Sequence, residues 1–560
     1  MAKFSPQEIE LLKKYVTDPE GDVFCVTNMP GMVGAAYARY SRAKGGFRET
    51  LLKEFISEGV IDSEHAEKLI QRVLIAFGDD SVGELEGAHL SMENISMIAT
   101  KEIEECRIGG SPIEQSTRYV FYEQKDDQGN YKYYTDPKIA QSQHAELFKQ
   151  TMDRIFDIYA ELIEPMKDYY KNLKPLDQAE YDILGTGEKQ KLTYLDSTKD
   201  QKAFRMTYNI DLKTRACDTL RYLLPLATKT NVGIFGNGRF FQGLISSLYS
   251  SQFSEIQNIG QSAMRELNKI VPAYVRRAQK DDYRMANETN MAELAKQLLS
   301  SETKQQVDEI SLLDRGGQTI AKKLAGQEPS PELITKLLEE RYDNVNIALM
   351  LYAYSELPLI QIISLIESWP EDRKQKVAQT YIGQRRARRD RPYRAMESGY
   401  AYTFDLITDF GTYKDLMRHR MTSQLKQSYN PHLGFAMPED LVKAGYQDKG
   451  QECHELSVKL YDALKPEFPT EAQYSALHGS KMRWVMAMNE REAYHLLELR
   501  TTPQGHRSYR KACQQMHKLI QKRSPWRAQA MKFVDHNDYD WARADSEAKQ
   551  RVKERKLDQK

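Results

Sequence analysis

Two stretches of the chain, far apart, carry the same pattern of apolar and polar positions. Residues 35–95 read as two helical segments, "AAYARYSRAKGGFRETLLKEF" and "SEHAEKLIQRVLIAFGDDSVGELE", then a short alternating segment, "AHLSMENIS". Residues 348–408 repeat the order with "ALMLYAYSELPLIQIISLIES", "PEDRKQKVAQTYIGQRRARRDRPYRAME" and "YAYTFDLIT". Apolar residues three and four apart predict helix, and strict alternation predicts a strand. In each copy a glutamate, Glu84 or Glu397, stands before the strand, and a further helix, "MIATKEIEEC" or "TYKDLM", follows it. "YAYTFDL" alternates as a half-buried strand would. Self-similarity of this kind predicts two tandem copies of one unit.

The remaining pattern sets the expected boundaries. Residues 124–205 read as an insertion in the first copy, with Tyr-rich amphipathic helices such as "FKQTMDRIFDIYAELIEPMKDYY" whose tyrosines belong to a core. Residues 291–333 are polar, helical in parts, and broken by Gly316-Gly317, Pro329 and Pro331, which predicts a linker. The expected fold is α+β: two tandem α/β domains, each a mixed sheet flanked by helices, joined by a helical linker. The first spans 1–275 with its insertion, the linker 276–333, and the second 334–535. Residues 536–560 form a charged tail, whose end, "SEAKQRVKERKLDQK", is solvated or a frayed helix. At the start, Ser5 as N-cap, Pro6 at the first helical position and Glu8 three residues on predict a capped helix rather than a signal peptide.

Composition narrows the class. The 560 residues are 40% apolar and 29% charged, with Lys+Arg and Asp+Glu both 80, so there is no basic excess of the kind a nucleic-acid coat or polybasic membrane binder shows. No DNA or membrane partner is expected. Five cysteines (Cys25, Cys106, Cys217, Cys453 and Cys513) form no CxxC pair, which argues against a disulfide framework or a structural zinc and fits a reducing cytoplasm. No metal is expected.

The candidate chemistry lies in two short clusters. "RHRMTSQLKQSYNP", residues 418–431, brings Arg418, His419 and Arg420 to the end of a predicted helix, followed by Ser423 and Ser428. Arginine forks onto phosphate oxygens, although a basic helix end also satisfies terminal carbonyls or is merely solvated. "GGSPIEQSTRYVFY", residues 109–122, has a similar serine spacing and ends in the Arg-Tyr that the later stretch lacks. The glycine-rich "GIFGNGRFF" has no Lys-Ser/Thr after it, so it is a turn into a helix beginning at Asn237-x-Arg239 rather than a phosphate loop.

Together these motifs resemble the signature of the flavin-dependent thymidylate synthases, the ThyX family, R-H-R-x-x-S-x-x-E-x-S-x-R-Y. The second copy matches at Arg418, His419, Arg420, Ser423 and Ser428, but has Lys426, Asn430 and Pro431 for the glutamate, arginine and tyrosine. The first copy has Cys106, Arg107 and Ile108 for R-H-R, yet matches at Ser111, Glu114, Ser116, Arg118 and Tyr119. Later motifs divide the same way. The first copy has Arg221, Pro225, Asn237 and Arg239 but Leu248 for the last arginine; the second has Gln473 for the first arginine, then Asn489, Arg491 and Arg500. Neither copy is complete, and their union is.

The resemblance implies a division of labour. Glu114, Ser116, Arg118 and Arg221 would bind dUMP, with Arg500 reaching it across a subunit boundary; Arg500 and Ser116 would take the catalytic roles. Arg418, His419, Arg420, Ser423, Asn489 and Arg491 would bind FAD. The implied reaction is reductive methylation of dUMP to dTMP, with methylenetetrahydrofolate and NADPH as co-substrates, in a homodimer that imitates a tetramer. Departures leave two alternatives open: a flavoenzyme for another uracil-containing substrate, or a non-catalytic nucleotide- or RNA-binding relative. The departures are Asp79, Ser81 and Glu84 in the first copy, Arg391, Arg394 and Glu397 in the second, and Asp415 where many members have glutamine. An acid at 415 either repels dUMP or accepts a bond from its base.

Overall fold

The computed structural model describes residues 4–29, 32–40, 44–57, 60–61, 83–106, 108–314, 322–323, 325, 330–386, 390, 393–397, 402–539, 541–542, 545, 548 and 552. Most of the second helical segment predicted in the first copy, together with Asp79, Ser81, Arg107 and Arg391, lies outside them.

The sequence repeat is a structural one. The first copy runs β1 (Gly87–Ser96), α1 (Met97–Glu105), β2 (Gly110–Glu114), then a long helix α2 (Thr198–Leu220), β3 (Lys229–Asn237) and α3 (Gly238–Tyr249). The second begins with a short strand β4 (Ile310–Leu312) and two helices, α4 (Pro331–Tyr352) and α5 (Leu359–Glu367). It then runs β5 (Tyr402–Asp409), α6 (Phe410–Leu416), β6 (Thr422–Lys426), α7 (Gln447–Leu464), β7 (Lys481–Met488), α8 (Glu490–Arg500) and α9 (Arg507–Arg523). The sheets are ordered β1-β3-β2 and β4-β5-β7-β6, so the same three strands recur in the same order. All these pairings are antiparallel, where a mixed sheet was expected. The α+β class and the two tandem copies stand.

Matching helices start on matching caps. Ser96 Oγ accepts from Ala99 N at the start of α1, and Asp409 Oδ1 accepts from Thr412 N at the start of α6. Asn237 and Asn489 accept in the same way from Phe240 N and Glu492 N, three residues into α3 and α8. Each cap satisfies an amide that the first helical turn leaves without a partner. The glycine-rich "GIFGNGRFF" is therefore strand β3 running directly into a capped helix, not a turn. The capping box at Ser5 and Glu8 forms as expected, with bonds of 3.3 and 2.7 Å.

Two compact units result. One comprises Met1–Gln115 and Lys229–Asp282, the other Ser116–Thr228 and Tyr283–Lys560. In the first, β1 alternates cleanly: Ala88, Leu90 and Met92 are buried while His89, Ser91 and Glu93 are exposed. In the second, the sheet is buried on both faces. Leu351, Ile362, Ile363 and Ile366 of α4 and α5 form a core with Val485 of β7, and Trp484 is fully buried, donating to Thr408 Oγ1 at 3.0 Å. The described part of "YAYTFDL", residues 402–406, is thus not half-buried. Its polar residues are interior, and Asp405 accepts from Tyr352 Oη at 2.8 Å and Leu359 N at 3.0 Å.

Residues 116–228, including the expected insertion, fold within the second unit. The backbone at Leu224 and Leu226 exchanges bonds of 2.8 and 2.7 Å with His478 N and Ala476 O. The Tyr stripe packs in the core, with Tyr159 and Tyr170 fully buried. One other segment differs from expectation: the linker supplies edge strand β4. In the tail, Asp545 pairs with Lys189 at 2.7 Å, and nearly all of residues 546–560 lie outside the described ones.

Candidate functional site

Arginines from both copies converge inside the second unit. Arg118 lies in the turn after β2, where Ser116 Oγ accepts from its backbone N at 3.2 Å. Its guanidinium forks onto Asp218 of α2 through Nε at 2.7 Å and Nη2 at 2.8 Å. Arg221 follows α2 directly and is 1% exposed. Its Nη2 stands 3.7 Å from Asp415 Oδ2 in the last turn of α6, too far for a hydrogen bond, and its Nε and Nη2 have no hydrogen-bond partner.

Burial alone would raise the Asp415 carboxyl, but Arg221, Arg118 and Arg500 together hold it below the usual carboxylate range. Three guanidinium groups, from residues 118 to 500, thus act on one acid. Asp409, more deeply buried than Asp415, goes the other way: burial raises it despite its bond from Thr412 Oγ1 at 2.7 Å and the nearby Arg221. Burial, reinforced by Arg221, drives His506 down to about 3, so it is neutral here, with Nδ1 2.9 Å from Ser508 Oγ.

Arg500 ends α8 and donates through Nε to His419 Nε2 at 2.8 Å. On the other side of the ring, His419 Nδ1 lies 2.7 Å from Glu492 Oε1. Both His419 and Glu492 are buried, at 5% and 6% exposure. Arg418 and Arg420 flank His419, and Arg491 precedes Glu492; all three are exposed. The His419–Glu492 contact and the pairing of Thr422 with Met488 set them along one edge of the β6–β7 ladder. Ser423 Oγ donates to Glu397 at 2.6 Å, and the Asn489 side-chain oxygen is taken by its cap.

Beside the cluster is a cavity of about 250 Å³, whose walls include Arg118, Asp218, Tyr222, His506 and Trp541. The Trp541 ring is flanked by the Arg215 guanidinium and the Lys174 ammonium, each 4.7 Å from its centroid. Several wall charges are already paired, Arg215 with Asp440 at 3.2 Å and Arg507 with Glu439 at 2.7 Å. Sequence reasoning missed Asp218, Tyr222, His506 and Trp541. Asp218 was findable as an acid three residues before Arg221 on one helix face. Trp541 was hidden by the charged residues around it.

Glu114 belongs to the first unit. There its side chain is buried against Lys101 Nζ at 2.9 Å, which also pairs with Glu104 at 2.5 Å. Three of the positions where a copy departs from the signature have structural roles. Asn430 caps the turn at His432 N, Gln473 accepts from Tyr429 N, and Leu248 is buried on α3. Glu84 pairs with Arg239 in the first copy.

The repeated strand–helix–strand arrangement defines a tandemly duplicated α+β protein in which arginines of both copies lie close together. The sequence profile of the thymidylate synthase complementing protein family, Thy1, matches residues 26–273 and 347–526, and the chain belongs to that family. It is 34% identical to a UPF0159 protein of Chlamydia pneumoniae over 97% of this chain and 98% of that one. It is also 34% identical to a UPF0159 protein of Chlamydia muridarum, over 98% of this chain and 99% of that one. A UPF0159 protein of Thermoplasma acidophilum is 28% identical over 93% of this chain and 98% of its own. Among the described residues no helix is long and apolar enough to cross a membrane.

Proposed function

We propose that the protein is a flavin-dependent thymidylate synthase-type enzyme. It would reductively methylate dUMP to dTMP with methylenetetrahydrofolate and NADPH, at a site assembled from both copies within one chain. The observation that carries this reading is the convergence of Arg118 and Arg221 with Arg500 on Asp415 inside a single compact unit.

The donor set fits a flavin. Exposed Arg418, Arg420 and Arg491 lie along one edge, and forked guanidinium groups suit a pyrophosphate. Bound there, FAD would supply the hydride-transfer chemistry. The chain's own residues would do the rest. Arg418, Arg420 and Arg491 neutralise phosphate charge, while His419 holds Arg500. Ser423 and Asn489 set the backbone from which these side chains project. Arg118, Arg221 and Arg500 take the anionic nucleotide, with Ser116 fixing the turn that presents Arg118. Glu114 belongs to the other unit and is engaged there with Lys101.

One observation favours a second reading, a flavoenzyme for a different uracil-containing substrate: Asp218 and Asp415 already balance two of the arginines. Release of tritium from C5 of labelled dUMP, measured on purified protein with its visible spectrum, tests both. A yellow protein that exchanges the label supports the first reading. A yellow protein inert toward dUMP but not toward other uracil compounds supports the second, and a colourless protein that takes up no FAD removes both.

A further inference from the structure

His419 is held from both sides, and one neighbour leaves no freedom in how. A guanidinium has only donors, so Arg500 Nε–H can only donate and His419 Nε2 can only accept. The ring proton must then sit on Nδ1, from which it donates to Glu492 Oε1 at 2.7 Å. Protonating Nε2 would set a second N–H against Arg500, and burial already disfavours the charged ring. The three side chains form a chain, Glu492 to His419 to Arg500, joining the first turn of α8 to its last residue through the segment after α6.

A competing use of the same atoms is a metal centre. His419, Glu492 and His495 bring ligand atoms within 4.8 Å of one another. The Arg500 cation, 2.8 Å from His419 Nε2, opposes a dication there, and Nδ1 is committed to Glu492.

We propose that Glu492 is a positioning residue. By fixing His419 as the neutral Nδ1–H tautomer it makes Nε2 an acceptor, which holds the Arg500 guanidinium by its inner nitrogen and leaves the two terminal nitrogens to face a ligand. That Arg500 meets a nucleotide rests on the function proposed above; the tautomer and its cause do not.

The test is nitrogen-15 NMR of the histidine rings of the full chain at neutral pH, with His419→Gln to assign the signal, joined to dUMP binding by calorimetry. Wild-type protein should show His419 as the Nδ1–H form. Glu492→Gln, whose amide oxygen still accepts, should keep that form and keep binding. Glu492→Ala should lose the tautomer preference and weaken dUMP binding about tenfold, as expected for one charge-assisted bond. Arg500→Ala should weaken it at least as much, and the double variant no further than Arg500→Ala alone. An Nε2–H or doubly protonated His419 in the wild type, additive losses in the double variant, or a ring spectrum converted by one equivalent of zinc would each overturn the proposal. Should Glu492→Ala not fold, the wild-type and Glu492→Gln spectra decide. Should wild-type protein not bind dUMP while His419 is Nδ1–H, the proposed function falls and the positioning chain stands.

Discussion

Arg221 and Asp415 are neighbours that do not bond. Their nearest atoms are 3.7 Å apart in the interior, and both leave polar atoms unsatisfied. A buried polar atom without a partner costs roughly 1–3 kcal/mol, so the arrangement is retained at the expense of stability. Substituting Asp415→Asn removes the internal anion from among Arg118, Arg221 and Arg500. Affinity for dUMP should rise about tenfold by calorimetry, while urea unfolding should show a loss of about 3 kcal/mol from the uncompensated Arg221. Unchanged affinity would mean that these arginines do not meet the phosphate. His506 makes a second test. Its folded-state value, about 3, lies below its ordinary 6.5. Between those values the unfolded chain binds a proton that the folded chain refuses. Its contribution is therefore fully present above about pH 6.5 and is lost as pH falls toward 3. Unfolding free energy should decline by up to about 1.4 kcal/mol per pH unit from this residue alone, and His506→Asn should flatten that decline. At this scale the sequence displayed the arginines, because motif spacing preserves them. It displayed Asp415 only as a departure from the motif, and it did not display Asp218 or His506, because these meet the arginines only after folding.

Elements were more legible than their surroundings. The strand-to-helix step was readable in both copies, and the caps explain why: Ser96, Asp409, Asn237 and Asn489 each stand where a strand passes into a helix. Burial was not readable in β5, whose alternation looks half-buried. Thr403 and Asp405 are polar residues facing a second layer of helices, and alternation records polarity rather than exposure. Asn489 combines a cap with a motif position, which allows the two roles to be separated. Asn489→Ala should lower stability by about 1 kcal/mol in urea unfolding, the usual value of a cap. Arg491→Ala, at an exposed position in the first turn of α8, should leave stability within about 0.5 kcal/mol while weakening FAD binding. Equal effects of the two variants on both readouts would merge the roles.

For the whole molecule, the repeat was legible and the partition into units was not. Sequence similarity tracks ancestry, whereas compact units track contacts, and residues 116–228 have the ancestry of one copy and the contacts of the other. The same asymmetry bears on stoichiometry. Where the second copy has Arg418, Arg420 and Arg500, the first has Cys106, an 86%-exposed Ile108 and a buried Leu248, none able to hold a phosphate. Calorimetric titration should therefore find one FAD per chain; two equivalent sites would refute the specialisation of the copies. The crossing segment also has a historical meaning. A duplicated gene can ordinarily lose one half or split into two genes, since each product still folds. Once residues 116–228 of the earlier half had become interior to the later half's unit, neither product could do so alone: one would carry a long stretch with nothing to pack against, the other would lack part of its interior. The duplication became a ratchet, and descendants could alter either half but discard neither.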